Sequence, residues 1–436
     1  MTAFATTMAD AQDSGGTNLT LSVSQTLRYS DNTELEVDAN SAFSAQTNLG
    51  LSYSSQTRSE AFSFSANTGL VFSPDDGVDT GIIDPSLRFS YGRTSRTAEF
   101  SITGFYRSVE LNTFIDDEDP ETDLTVLDAG TRTDISGSIL MAFGKDQPFG
   151  GSFTLSGSTR DYTDTTDPDL LDTTTLSANS VINLRFDDRI TGRLTAGWSE
   201  VDEDGGTDQT TLRFGTGVSL LVNPTLTVGL DLNYFDIESR EGGVSDREDG
   251  FGVTATASQT LPNGSLSGRV SSSIEQNGRR NSFSLSRNWE LQNGQLGLTI
   301  GGSDSSDTDF SPLYGLNYNT EVVRGGNLRA SLNQAYNIGA DGDEAINTNL
   351  TVGYSQALSR VSDVSTSLAY RDTNALSGDI EDATRWDFNV RYRHSISRDW
   401  GLVSGYTYSF ATSDGADDRD SNTIFFGVDR AFEWRP

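Results

Sequence analysis

Residues 19–29 read LTLSVSQTLRY, and apolar side chains recur at alternate positions of this stretch. The apolar positions are Leu19, Leu21, Val23, Leu27 and Tyr29. The positions between them carry serine, threonine or arginine. Because successive side chains of a β-strand point to opposite faces, the stretch predicts a strand with one apolar face and one polar face.

The same alternation recurs along the chain. We find about twenty-two such segments of roughly ten residues, the length that a tilted strand needs to cross a membrane. The clearest lie at 62–72, 135–143, 176–186, 212–220, 226–234, 350–354, 364–370, 386–392, 400–410 and 424–434. Residues 266–300 and 311–336 are less regular and leave the strand count uncertain by about two.

The connections between these segments alternate between short turns and long acidic loops. The short connections lie at 187–189, 222–225, 261–264, 292–294 and 397–399. The long ones lie at 111–130, 161–172, 201–209, 236–249, 301–310, 337–344, 372–384 and 411–421. Short turns on one side and long loops on the other are typical of an outer-membrane barrel. We therefore predict an all-β fold, a single closed antiparallel up-and-down transmembrane β-barrel of about 22 strands (range about 20–24).

Composition excludes several other classes of protein. The 436 residues include no cysteine and one histidine, His394, which excludes disulfide scaffolds and thiol chemistry. The formal net charge of -33 argues against nucleic acid as a partner, since phosphate binding needs clustered cations. Hydrophobic residues make up only 34%, but 10% of the chain is aromatic, which argues against disorder. No apolar run approaches the roughly 18 residues of a membrane helix, so none is predicted.

The first residues resemble the end of an export signal. Ala9-Asp10-Ala11 is a small-x-small sequence of the kind that precedes signal-peptide cleavage. We interpret residues 1–16 as a residual signal peptide or disordered N-terminus and residues 17–436 as the barrel. An Ala/Thr-rich terminus without a targeting role is the alternative.

The chain resembles the outer-membrane β-barrel proteins of Gram-negative bacteria. More narrowly, LRYSDN at 27–32 and the Ser/Thr/Arg-rich strands resemble barrel porins associated with exopolysaccharide export. Such barrels end on an aromatic residue, and here the strand TIFFGVDRAFEW at 423–434 is followed by Arg435 and Pro436. TonB-dependent transporters also have about twenty-two strands, but they carry a plug domain before the first strand. Since strand one is expected near residue 18, we predict no plug domain and do not carry that activity over.

Arginines recur in phase with the polar face of their strands. If the apolar face meets lipid, these side chains line the lumen, because arginine facing lipid near the midplane costs roughly 2–4 kcal/mol. The predicted pore-lining residues are Arg28, Arg88, Arg160, Arg185, Arg193, Arg213, Arg269, Arg329, Arg371, Arg391 and Arg393. Asp134, Asp231 and Asp387 share their face. The arginines form either a cationic wall that attracts anionic solutes or a set of ion pairs that stiffens the barrel.

Aromatic residues cluster where the apolar stripes end, as in the two aromatic girdles of a membrane barrel. The predicted girdle residues are Tyr29, Tyr53, Trp198, Tyr234, Trp400, Tyr408 and Trp434. Arg287 and Arg430 interrupt apolar stripes, which indicates a bulge, a register error or an interfacial position. We interpret the acidic runs at 116–123, 202–208, 304–309 and 414–420 as solvated loops, with loose divalent-cation bridging to lipopolysaccharide as the alternative.

The leading functional hypothesis is an outer-membrane pore for diffusion or export of anionic solutes or polysaccharide. Two alternatives remain open. One is a non-conducting barrel that acts as a structural or docking component of a surface polysaccharide or secretion system. The other is a soluble extracellular β-solenoid adhesin. Expected partners are outer-membrane lipid, lipopolysaccharide and a periplasmic export protein.

We predict a bacterial outer-membrane location, no metal site and no cofactor. We also predict no enzymatic activity, because His394 is expected near a turn on the apolar face, without a nucleophile or acid beside it.

Overall fold

A computed structural model of the chain describes most of residues 16–435. The positions outside its description are 1–15, 34, 36, 38–39, 75–79, 112–129, 166–169, 307, 339–341, 379–381, 414–416 and 436. The predicted signal peptide lies in the first of these ranges and stays a prediction. Among the described residues, no helix has the length and apolar character needed to cross a bilayer.

Twenty-two antiparallel strands form one sheet, and each strand pairs with its neighbours in sequence. The last strand pairs with the first, from Leu19 opposite Trp434 to Ser30 opposite Thr423, so the sheet closes on itself. The strands are β1 Gly16–Ser30, β2 Ala42–Gln56, β3 Glu60–Phe72, β4 Gly81–Thr94, β5 Ala98–Glu110, β6 Thr131–Phe143, β7 Phe149–Thr163, β8 Thr173–Arg185, β9 Ile190–Glu203, β10 Asp208–Asn223, β11 Leu226–Glu241, β12 Val244–Leu261, β13 Gly264–Glu275, β14 Gly278–Leu291, β15 Gly294–Asp304, β16 Ser311–Val323, β17 Gly326–Ile338, β18 Glu344–Ala357, β19 Ser362–Ser377, β20 Ala383–Ser395, β21 Trp400–Ser413 and β22 Arg419–Trp434.

Side chains that accept backbone hydrogen bonds close several turns at the end of the barrel where both termini lie. Asn223 Oδ1 accepts the backbone N–H groups of Thr225 and Leu226, both at 2.9 Å. Asp187 Oδ1 accepts the N–H of Ile190 at 2.7 Å. Asparagine and aspartate favour turns because their side chains satisfy the backbone two or three residues ahead. This turn end corresponds to the periplasmic side of an outer-membrane barrel.

The loop end differs from the sequence prediction at two hairpins. The loops predicted at 201–209 and 236–249 are largely strand, with connections only at 204–207 and at Gly242-Gly243. In the extension of β11 the outward residues Asp236, Glu238 and Arg240 are charged, so the apolar alternation stops there, while the inward Ile237 and Ser239 are buried. The sequence pattern therefore could not show that the strands extend this far.

Apolar side chains are exposed on the outer surface of the barrel. Leu27 is 59% exposed, Phe186 70% and Ile424 61%, whereas a soluble protein would bury such residues. Leu27 and Ile424 lie in phase with the apolar stripes of β1 and β22, and Phe186 directly follows the stripe of β8. The surface that these stripes cover is suited to lipid rather than to water.

Gly264 is required at the turn between β12 and β13. Its φ is +128°, and a Cβ at this position would lie 2.0 Å from the backbone O of Asn288. We expect Gly264→Val to lower the free energy of unfolding by roughly 1–3 kcal/mol, the cost of a strained backbone conformation. Urea unfolding in lipid vesicles measures the change. Gly353→Ala is the control, because a Cβ there would have no neighbour within 4 Å; an equal loss in both variants would contradict this explanation.

Candidate functional site

All the predicted arginines lie within strands, on the face opposite the exposed apolar stripe. Arg213, for example, stands between Leu212 and Phe214, which are 38% and 56% exposed on the outer surface. Their strands are β1 (Arg28), β4 (Arg88), β7 (Arg160), β8 (Arg185), β9 (Arg193), β10 (Arg213), β13 (Arg269), β17 (Arg329), β19 (Arg371) and β20 (Arg391 and Arg393). The backbone alternation thus directs them inward, and their role in lining a conducting pore stays a prediction.

Electrostatic interactions link inward side chains of strands that are not neighbours in the sheet. Arg28 interacts electrostatically with Asp84 and with Arg391. Their strands β1, β4 and β20 are not neighbours in the sheet. Such interactions between separated strands are consistent with the inward orientation that the alternation gives Arg28 and Arg391.

The inward residues of β9, β10, β11 and β13 form a group that we call the arginine patch. Its members are Arg193, Arg213, Asp231, Asn233 and Arg269. Arg193 Nη2 donates to Asp231 Oδ1 although the two residues stand on strands that flank β10. The bridge passes over Gly217, where a Cβ would lie 1.8 Å from Asp231 Oδ1. Glycine on β10 therefore leaves room for the ion pair to lie flat against the wall.

The second part of the patch is a guanidinium that pairs with a neutral amide. Arg213 Nε and Nη2 donate to Asn233 Oδ1 at 3.2 and 3.1 Å. The Arg213 guanidinium also lies 5.6 Å from the centre of the inward Phe235 ring. Asn233 balances no charge, and Arg269 has no ion pair within the fully described range 170–306. The patch thus carries three guanidinium groups and one carboxylate.

Asp134 of β6 joins three inward arginines, one on its own strand and one on each of the two neighbouring strands. Its carboxylate accepts hydrogen bonds from three guanidinium groups. The donors are Arg107 Nη2 at 3.1 Å, Arg132 Nε at 3.0 Å and Arg160 Nε at 3.0 Å. Arg107 and Arg88 both lie over the inward Phe105 ring, at 5.6 and 5.1 Å. The sequence prediction did not include Arg107 and Arg132. The alternation of β5 and β6 places both inward, so the same pattern could have identified them.

One further predicted arginine, Arg393 of β20, also meets an inward carboxylate. Arg393 Nη2 contacts Asp429 at 2.6 Å. Arg385, which the prediction did not include, contacts Asp387 at 3.0 Å and lies opposite Arg371. Arg185 ends β8 at the turn end, and Arg329 lies opposite Gly353. The predicted inward carboxylates Asp134, Asp231 and Asp387 therefore each bind at least one arginine.

The predicted girdle residues occupy both ends of the strands. On the loop side, the Tyr29 ring lies 4.8 Å from Phe43. On the turn side, the Trp434 ring stacks on Phe432 at 6.0 Å. The remaining members lie near the turn end (Tyr53 and Trp400) and toward the loop end (Trp198, Tyr234 and Tyr408). Their function as membrane anchors stays a prediction.

The acidic runs and His394 were the candidates for metal binding and imidazole chemistry in the sequence. The run 116–123 lies outside the described residues, and so do parts of 304–309 and 414–420. No group of three described His, Asp or Glu side chains is arranged to hold a metal ion. His394 Nδ1 lies 2.8 Å from Ser362 Oγ on the outer face.

The sequence analysis did not identify a buried ionic cluster at the loop end. Glu344, the first residue of β18, is fully buried and lies beyond Tyr370 and Trp386 on the loop side. Its carboxylate accepts hydrogen bonds from Arg280 Nη2 at 2.8 Å and from Thr308 Oγ1 at 2.7 Å. The cluster ties β14 and β18 to the loop between β15 and β16. Since these contacts join residues far apart in sequence, no local pattern indicates them.

Charge and hydrogen bonding determine the ionisation of Glu344. Burial alone would raise its pKa, but hydrogen bonds from Tyr336 and Thr308 and the charge of Arg280 outweigh burial and hold the pKa of Glu344 below its ordinary value. A carboxylate with a lowered pKa stabilises the fold above its unfolded-state pKa. This stabilisation is lost as pH falls through the folded-state pKa.

The sequence matches no family model and no curated protein. Its fold is similar to that of solved siderophore receptors. These include a mutant ferric enterobactin receptor from Pseudomonas aeruginosa, the siderophore receptor PirA from Acinetobacter baumannii and the ferric-catecholate import receptor Fiu from E. coli K12. Each match has a TM-score of 0.56 and 9% identity, and covers 96–97% of this chain and 81–82% of the receptor chain. At this identity the likeness concerns the fold alone.

The comparison corrects the predicted fold class. The closed, all-β, antiparallel 22-strand wall matches TonB-dependent receptors, and these receptors carry a plug domain. The prediction of a barrel class without a plug is therefore wrong, although the described residues build only the wall. The alternating pattern identifies the strands of the wall only. It therefore could not decide whether the fold class includes a plug domain. The comparison does not support the narrower resemblance to exopolysaccharide porins.

The predicted location is confirmed. A closed 22-strand barrel with an apolar outer surface and the fold of outer-membrane receptors is a protein of the bacterial outer membrane.

We expect Glu344→Gln to lower the free energy of unfolding by roughly 1–3 kcal/mol at pH 7, because it weakens buried hydrogen bonds to a charged group. The difference from the wild type should shrink as pH falls below the ordinary range of glutamate, where the wild type loses the same contribution. Urea unfolding at several pH values measures this. Glu241→Gln, at the exposed end of β11, is the matched control; a pH-independent difference would contradict the assigned role of the charge.

Proposed function

We propose that this barrel carries anionic solutes, acidic saccharides among them, across the outer membrane. The observation that supports the proposal most directly is the arginine patch. There, Arg193, Arg213 and Arg269 face the lumen side with one carboxylate, Asp231, in a chain of formal net charge -33. An overall acidic chain has no general need for local cationic excess, so the excess indicates a specific partner of negative charge.

The patch is suited to select ions because its charges are fixed and accessible. Only Arg193 is paired with a carboxylate, and its side chain remains 47% exposed. Arg213 is held in place by a neutral amide rather than by an acid. Arginine side chains that line a pore favour anions by attracting them and by replacing part of their hydration shell.

The inward aromatic rings extend the range of solutes to larger molecules. Phe235 underlies Arg213, and Phe105 lies beneath Arg88 and Arg107. A guanidinium beside an aromatic face offers charge and apolar surface together, as binding sites for organic ligands commonly do. This combination suits an acidic saccharide better than it suits a small inorganic anion.

A barrel that docks a partner and conducts nothing is the second candidate. The observation that favours it is the pairing of Arg160, Arg193 and Arg393 with inward carboxylates. Such pairs would also occur if the arginines served only to hold the wall rigid. The acidic loops add a competing effect, since negative charge at the mouth favours cations.

Paired substitutions in the patch should shift ion selectivity in opposite directions. We expect Asp231→Asn to raise the chloride-to-potassium permeability ratio and Arg213→Gln with Arg269→Gln to lower it. Each shift should be roughly two- to fivefold, equivalent to about 0.5–1 kcal/mol for exposed charges. Reversal potentials in planar bilayers under a potassium chloride gradient provide the ratio.

Arg240→Gln is the matched control, because this residue lies on the outer face near the loop end and pairs with Glu238. Its substitution should leave the ratio unchanged. Equal shifts in the control and the patch variants would mean that charge acts from outside the lumen. Shifts of one sign in both patch variants would contradict the selective role of the patch.

The unmodified chain should conduct after refolding in detergent and insertion into the bilayer. A barrel that is folded, as judged by heat-modifiable migration, and that shows no conductance would contradict the proposed passage. That result would favour the docking candidate.

A further inference from the structure

Arg287 of β14 and Arg430 of β22 stand on the outer face of the barrel, where the alternation places apolar residues. Arg287 lies between Leu285 and Trp289 on the outer stripe of β14, and Arg430 lies between Val428 and Phe432 on that of β22. Both are near the turn end. An arginine on this face needs acceptors for its five N–H groups, and lipid tails offer none.

Arg287 obtains its acceptors from the protein. Its Nη1 donates to the backbone O of Ser265 at 3.0 Å and of Asn288 at 2.8 Å, and its Nη2 donates to Asn263 Oδ1 at 2.6 Å. The guanidinium therefore folds back onto the turn between β12 and β13. No ligand is needed to satisfy it.

Arg430 has a different environment. Its guanidinium lies 4.2 Å from the centre of the Phe432 ring and 5.0 Å from that of Trp400. Its Nε is buried without a hydrogen-bond partner, and no described residue forms an ion pair with it. Its cross-strand partners are Trp400 and Val23, neither of which carries a charge.

Position and chemistry together limit the ligand that can complete this site. Trp400 is the first residue of β21, so Arg430 lies at the edge of the membrane band on the turn side. Arginine binds phosphate through paired N–H groups, and aromatic rings hold the guanidinium plane by cation–π attraction. Toward the membrane interior, Phe426 and Ile424 expose 52% and 61% of their surface on the same stripe. A ligand with a phosphate and an acyl chain would contact both regions.

We propose that Arg430, Trp400 and Phe432 bind the phosphate of a phospholipid headgroup in the periplasmic leaflet. The rings orient the guanidinium, the guanidinium donates to the phosphate oxygens, and the acyl chains cover the outer surface of β22. The site lies on the outside of the wall, so it does not depend on what the lumen conducts. Soluble phosphate lacks the acyl chains and should bind the same guanidinium far more weakly.

Native mass spectrometry of the full chain in detergent tests this proposal with phosphatidylglycerol as the probe. We expect Arg430→Gln to weaken the tightest phosphatidylglycerol binding by roughly tenfold, the loss of a charge-assisted hydrogen bond. Arg287→Gln is the matched control and should leave that affinity unchanged. Arg430→Lys, which keeps the charge but not the paired donors, should give an intermediate affinity.

Two probes on the unmodified chain keep the test independent of the variants. Diacylglycerol with the same acyl chains should bind at least about tenfold more weakly than phosphatidylglycerol. Inorganic phosphate at millimolar concentration should not displace the lipid. Equal binding of the two lipids, or equal losses in the Gln variants at 287 and 430, would overturn the proposal. Displacement by inorganic phosphate would reassign the site to a soluble anion.

Discussion

The pairing of β1 with β22 is the contact on which the whole structure depends. Within a bilayer no water satisfies the backbone, so an open sheet edge would leave a row of unpaired N–H and C=O groups. The register from Leu19 opposite Trp434 to Ser30 opposite Thr423 removes both edges at once. Closure also gives every strand an inner and an outer face, so one alternating pattern can place apolar residues toward lipid and arginines toward the lumen.

That division explains why arginine has different partners on the two faces. Inward guanidinium groups meet Asp134, Asp231 and Asp429, or the amide of Asn233. Glycine at 217 keeps the wall flat enough for Arg193 to cross one strand. On the outer face, Arg287 reaches turn acceptors, while Arg430 lies between aromatic rings. The face of the wall on which an arginine stands, rather than residue type, decides which partners its guanidinium meets.

The sequence predicted what depends on local periodicity. The alternation at 19–29 anticipated the strand β1, and the phase of Arg193 and Asp231 anticipated that they share a face. It could not give the full length of β11, because charged residues replace the apolar ones on its outward face near the loop end. Nor could it give the Glu344 cluster, whose members meet only after the strands are registered. The alternation also could not decide between barrel classes with and without a plug domain, because wall periodicity carries no information on a separate segment.

We propose that the arginine face of the wall borders a water-filled lumen and that the apolar face borders lipid. Because the chain has no cysteine, single cysteines can report on each face without interference. In barrels reconstituted in lipid vesicles, Arg269→Cys should react with a charged, water-soluble thiol reagent. Val270→Cys, the next residue on the strand, should react only with a lipid-soluble one. Reaction of Val270→Cys with the charged reagent, or protection of Arg269→Cys from it, would contradict the account.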